Sequence, residues 1–145
     1  MYQPMSDSLS TALWSLVHAS DAAQAHLESK LEACGLSAPK LLALQRLVEA
    51  GDSLPMGQLA ERLSCVKSNV TQLVDRLEAD GFVSREPDPN DRRSKLAVIT
   101  AAGRKAYAEG ARVQTAVERE LFVKFSKEEA LQLASFMARL EAQAR

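Results

Sequence analysis

Val70, Leu73 and Leu77 follow Val66 at intervals of four, three and four residues, directly after a short polar turn. Those intervals place the four apolar side chains on one face of a helix over residues 67–80. A shorter helix opens near Leu54-Pro55 and runs through Leu63, and only Ser64, Cys65 and Val66 separate the two. Two short helices joined by so tight a turn must cross at a steep angle, which is the arithmetic of a helix-turn-helix unit. Gly81 stands just past the second helix, where a left-handed residue ends a helix cheaply.

The flanks are helical as well. Leu9, Leu13, Leu16, Val17, Leu27 and Leu31 recur at helical spacing, predicting a long first helix over residues 8–33, ended by Gly35. Ser37 is placed to cap the next helix, with Pro39 in its first turn and Leu41, Leu44 and Val48 on its apolar stripe; Gly51 stops it. Residues 82–85 and 95–100 are β-prone, and the polar loop 86–94 between them carries two prolines, which predicts a hairpin. Thr100 is placed to cap a helix reaching about Lys124, and Ser126-Lys127-Glu128-Glu129 fits a capping box that opens a last helix. Aromatic residues make up 5% of the chain, so the core must be built of Leu, Val and Ala. The expected class is mostly α with a small β-hairpin wing: a winged helix-turn-helix core at residues 37–100, flanked by long dimerisation helices at 1–36 and 101–145.

Charge is unevenly distributed. The formal net charge is -1, but residues 1–55 sum to -3 and residues 56–105 to +2. Residues 84–105 alone hold six basic and three acidic side chains. Affinity for nucleic acid follows such local phosphate contacts rather than the global sum. The outward face of the 67–80 helix offers Lys67, Ser68, Asn69, Thr71, Gln72 and Arg76. Asn and Gln pair in bidentate fashion with adenine, Lys reaches guanine or phosphate, and the Thr methyl meets a thymine methyl. Arg92, Arg93 and Lys95 on the hairpin suit a narrow minor groove. Asp91 would repel phosphate there, so its expected role is to orient Arg93 through a charge-assisted hydrogen bond.

The stretch Leu59-Ala60-Glu61-Arg62-Leu63, the run from Ser68 to Val83, the segment Pro87-Asp88-Pro89-Asn90-Asp91-Arg92-Arg93 and the run from Leu96 to Gly103 together resemble the MarR family of bacterial regulators. That resemblance implies a triangular homodimer with interlocked first and last helices. It also implies binding to a pseudopalindromic double-stranded DNA operator, often with release by a small-molecule effector or by thiol oxidation. The family's base-reading positions fall on Ser68, Asn69, Thr71 and Gln72, and its wing pair on Asp91 and Arg93. Its effector pocket lies where the dimer helices meet the winged helix, which makes Trp14, His18, Leu42 and Arg46 the candidates, with Trp14 favoured as a dimer anchor. Three positions depart from the pattern: Cys65 replaces a Leu, Val66 a helix-opening Ser, and Pro55 a capping Thr or Ser.

Other chemistries find less support. Cys34 is the redox candidate, yet neither it nor Cys65 lies at the start of the first helix, where oxidant-sensing members carry theirs. His18 and His26 lack the further ligands of a metal site, so no metal and no cofactor is expected. No G-x-S-x-G elbow or Gly-rich phosphate loop occurs, so the chain is not expected to be an enzyme. No apolar run of membrane-spanning length or export signal is seen, so a cytoplasmic regulator, most simply a repressor, is expected. The competing readings are a winged helix that binds proteins and not DNA, and a thiol-based redox sensor. An outward helix face that is polar and, over residues 67–74, free of acids argues against the first.

Overall fold

The computed structural model describes residues 4–63 and 69–145, with side chains from Asp7 onward. Helix α1 spans Pro4–Leu31. Its last turn tightens into a 3-10 turn at Glu32–Cys34, and Gly35, at φ 70°, closes it with its N–H donating to the Glu32 carbonyl at 3.0 Å. Only the C-terminal end of α1 reaches the core, through Leu31 and Leu27. Helix α2 (Ala38–Glu49) starts where Ser37 Oγ accepts from the Lys40 N–H at 3.3 Å. The Ala38 N–H, another orphan donor of that first turn, donates to Glu28 Oε1 of α1 at 2.7 Å, which ties the two helices together. Leu41, Ala43, Leu44 and Leu47 of α2 are buried at the centre of the molecule.

A short strand, β1 (Ser53–Pro55), precedes α3 (Met56–Arg62). A helix from Leu54-Pro55 was the expectation; the structure instead lays Ser53, Leu54 and Pro55 against Val98, Ala97 and Leu96. Pro55 is tolerated because it ends an edge strand and then serves as the N-cap of α3, with no side-chain hydrogen bond. Helix α4 (Val70–Ala79) buries Val70, Leu73, Val74 and Leu77. The expected start of this helix at Lys67, the buried position of Val66, and Ser64, Cys65 and Ser68 lie outside the described residues.

The hairpin is longer than the sequence indicated. Strands β2 (Val83–Asp88) and β3 (Asp91–Ile99) take up most of the polar segment 86–94, leaving a two-residue connection at Pro89-Asn90. Main-chain pairing carries this extension: Glu86 faces Leu96 and Pro87 faces Lys95, with the register shifting between Pro87 and Asp88. Pro87 fits because β2 is an edge strand in the order β1-β3-β2. Asp88 Oδ1 accepts from the Asn90 N–H at 2.9 Å, a local bond that shapes the turn.

Thr100 then starts α5 (Ala101–Leu121). Its hydroxyl accepts from the Gly103 N–H at 3.0 Å and donates to the Gly81 carbonyl at 2.6 Å, joining the end of α4 to the start of α5. Gly103 allows this closeness, since a Cβ there would lie 2.1 Å from the Phe82 carbonyl oxygen. Helix α5 ends at Leu121, one turn short of the expected Lys124. Helix α6 (Lys127–Ala144) opens with the capping box expected at Ser126 and Glu129, and none of its residues is buried. Among the described residues, no helix is long and apolar enough to cross a membrane.

Candidate nucleic-acid interface

Burial of Val70, Leu73, Val74 and Leu77 fixes the rotation of α4, so Asn69, Thr71, Gln72, Asp75 and Arg76 face solvent. Lys67 and Ser68, the other two side chains expected on that face, lie outside the described residues. Asn69, Gln72 and Arg76 converge with Ser37, Pro39 and Lys40 of the α2 start around a polar cleft of about 160 Å³. The polar outward face of α4 thus continues onto the first turn of α2, which the sequence did not indicate.

The acidic groups that flank this face are neutralised. Arg85 of β2 reaches back to α4, placing Nη2 2.6 Å from Asp75 Oδ1 and Nη1 3.4 Å from Glu78 Oε1. The same Nη2 donates to the Thr71 carbonyl at 3.3 Å. Lys40 Nζ lies 2.7 Å from Asp80 Oδ2 at the end of α4. Arg85 is a functional candidate that sequence reasoning missed. The available signal was Asp75 and Glu78 on one edge of the helix with an arginine on the strand that follows.

Arg92, Arg93 and Lys95 are exposed on the first half of β3. Strand alternation puts Arg93 and Lys95 on one face, with Asp91, and Arg92 on the other. Asp91 Oδ1 accepts a hydrogen bond from the main-chain N–H of Arg93 at 2.9 Å. The expected contact to the Arg93 guanidinium is therefore replaced by one to the backbone, as the short Asp91 side chain folds back onto the main chain at the first residues of β3. The guanidinium itself makes no ion pair among the described residues.

The second candidate site lies elsewhere. An open cavity of about 400 Å³ lies between α1, α2 and α5. Ala23, Gln24 and Leu27 line it from α1; Ala38, Leu41, Leu42 and Gln45 from α2; and Gln114, Val117, Glu118 and Leu121 from α5, with Phe122 just beyond. Of the four expected effector contacts, only Leu42 lines it. Trp14 and His18 stand further toward the start of α1, their rings 6.2 Å apart, and Trp14 is 57% exposed. Arg46 is held by Glu49 of its own helix at 3.0 Å. Cys34 is half-buried and packs against the core. His26 Nε2 lies 2.6 Å from Glu120 Oε2, joining α1 to α5.

Comparison with known proteins agrees with this geometry. The family model described as MarR family matches residues 36–95, which hold α2, the helix-turn-helix and most of the hairpin. The chain is 33% identical over 112 residues to the Bacillus subtilis (strain 168) protein named as the uncharacterized HTH-type transcriptional regulator YcgE, covering 77% of this chain and 72% of that one. Several further relatives match over only 42% to 45% of their own length. Among solved structures, the organohalide-sensing regulator RdhR-CbdbA1625 bound to 2,4-dichlorophenol superposes with a TM-score of 0.85 at 18% identity, over 93% of this chain and 80% of that one. A cysteine-to-serine mutant of MarR from E. coli, complexed with operator DNA, gives 0.79 at 23% identity, over 89% and 93%. With its three-stranded sheet, helix-turn-helix and long flanking helices, this chain belongs to the MarR family of winged-helix transcriptional regulators.

Proposed function

We propose that two copies of this chain form a homodimer that binds a pseudopalindromic DNA operator as a repressor and leaves it when a small molecule occupies the α1–α2–α5 cavity. The observation that carries the DNA-binding part is the electrostatics of α4. Its outward face offers amides, a hydroxyl and an arginine, while Asp75, Glu78 and Asp80 are each engaged by a cation. A protein-binding helix would gain nothing from that arrangement, whereas a phosphate-lined groove requires it. Asn69, Thr71, Gln72 and Arg76 would read base edges, Lys40 and Lys95 would meet phosphates, and Arg93 would enter the flanking minor groove. Lys67 and Ser68 belong to the same reading set by the sequence alone.

The homodimer is supported by apolar surface that the single chain leaves uncovered. Leu9, Leu13 and Trp14 on α1 are more than half exposed, as are Val123 before α6 and Leu131 on it. Phe125, Phe136 and Leu140 are also about half exposed on this C-terminal arm. So many large apolar side chains exposed on two helices are what a partner chain would bury. Two α4 helices would then enter successive major grooves about 34 Å apart.

The test is a mobility shift on the DNA upstream of the protein's own coding sequence, at two salt concentrations, with sedimentation to give the mass. A dimer whose DNA affinity falls steeply with salt is expected. No shift at low salt, or a shift indifferent to salt, would defeat the reading.

A further inference from the structure

The cavity between α1, α2 and α5 has an apolar interior and a polar rim of three amides and one carboxylate, Gln24, Gln45, Gln114 and Glu118. Gln114 Nε2 donates to Glu118 Oε1 at 2.8 Å, and Gln45 Nε2 donates to Glu49 Oε1 at 3.1 Å. A carboxylate only accepts, so each amide is fixed with its nitrogen toward the acid. The two amide carbonyl oxygens and the second oxygen of Glu118 are left as acceptors beside one unused N–H on each amide, and Glu118 brings the only formal charge among the described lining residues. No described Lys, Arg or His lines the cavity. Arg46, next to Gln45, is turned onto Glu49, and Arg119, next to Glu118, lines a different cleft along α5. An anion entering here would lose its hydration, gain no cation and face Glu118. A positively charged head with N–H donors would find a carboxylate and free acceptors, with its apolar body against Leu27, Leu41, Leu42 and Val117.

We propose that the effector of this protein is an organic cation, a ring-sized apolar body bearing an amine or amidine, and that Glu118 selects it over carboxylates. The proposal rests on the reading of this cavity as the effector site. Such a ligand would touch α2, whose first turn borders the reading face, and Leu121 and Phe122 at the end of α5, where the chain turns into α6. One molecule would therefore bridge the DNA-reading unit and the helical arm.

The experiment is calorimetric titration of the intact protein with three probes of one ring body: 1-naphthylmethylamine, 1-naphthylmethanol and 1-naphthoate. The amine should bind about tenfold or more tighter than the carboxylate, the scale expected of one charge-assisted contact. Glu118→Gln should remove most of that preference and leave the alcohol within about twofold, since only the charge is lost. Ala23→Phe, at a half-exposed position lining the cavity, should weaken all three by filling the space. A carboxylate that binds as well as the amine, and that Ala23→Phe still blocks, overturns the ligand class but leaves the effector site. An amine preference that survives Glu118→Gln overturns the role of that residue. If no probe binds, or if Ala23→Phe changes nothing, both the ligand class and the effector reading of the cavity fall; a partner copy filling the space would give that result.

Discussion

Replacing Gly103 by alanine should be the most damaging single-methyl change at the junction of the hairpin with α5. A Cβ at this position would lie 2.1 Å from the Phe82 carbonyl oxygen and 2.8 Å from Ile99 Cγ1, where ordinary Cβ contacts begin near 3.4 Å. The first obstacle is main chain, and it is held: the Phe82 carbonyl accepts from the Thr100 N–H at 3.0 Å. Relief therefore requires the start of α5 and the root of β2 to move apart by about 1 Å. Overpacking against fixed atoms costs about 3 kcal/mol. Weakening the Thr100 bond adds about 1 kcal/mol. The better helix propensity of alanine returns up to about 1 kcal/mol. The net loss is about 3 kcal/mol, or a fall in Tm of roughly 6–12 °C for a chain of this size. Thermal unfolding followed by circular dichroism measures it, at one fixed protein concentration because any self-association shifts the midpoint. Gly57 in α3 is the control. Nothing lies within 4 Å of a Cβ there, so Gly57→Ala should be neutral or stabilising by about 0.5 kcal/mol. A Gly103→Ala variant that melts with the parent would refute the packing argument.

The remaining predictions concern DNA. Arg93→Ala should weaken operator binding about tenfold and lower the salt slope by about two, one for each protomer's Arg93, while sedimentation still gives the parent's mass; unchanged affinity would remove the wing from the interface. Gln72→Ala should relax base preference at one symmetric pair of operator positions by about 1–3 kcal/mol in a competition assay, with little change on random DNA; an unaltered preference profile would exclude Gln72 from the readout. Arg85→Ala should cost only about 1 kcal/mol of stability, because Asp75 and Glu78 are about half exposed and solvent screens both pairs. Its larger effect should be on DNA affinity at low salt, where Asp75 and Glu78 would meet phosphate uncompensated, and Arg85→Lys should restore part of it. An Arg85→Ala variant with parental affinity at every salt concentration would show that those acids stand clear of the DNA.

What the sequence disclosed was whatever is decided locally. Ser37, Thr100 and Ser126 each cap the helix expected of them, since a hydroxyl two or three residues before a free N–H needs no distant partner. The inward face of α4 was legible at Val70, Leu73 and Leu77 from spacing alone, and Val74 widens the same stripe. Features held by remote pairing were not legible. Strand β1 has three residues, too few to show alternation, and exists because β3 lies beside it. The hairpin outruns its apolar residues because main-chain bonds extend it into a polar segment. Of Trp14, His18, Leu42 and Arg46 only Leu42 lines the α1–α2–α5 cavity, because that cavity depends on how three helices meet, and spacing within one helix does not report that. Arg85 was hidden for the same reason, since its partners lie one element away.

The Thr100 junction has a mechanical consequence. Helix α5 is anchored at one end to the root of the hairpin and reaches, 21 residues later, the turn into α6. At 1.5 Å per residue that is a stiff rod of about 31 Å with no proline to absorb strain. Pivoting such a rod by only 5° about its Leu121 end sweeps the hairpin end through about 2.7 Å, close to the 3.4 Å rise of one base step. A displacement too small to disturb the packing around Leu121 and Phe122 would thus arrive at the hairpin as nearly a whole register of the DNA.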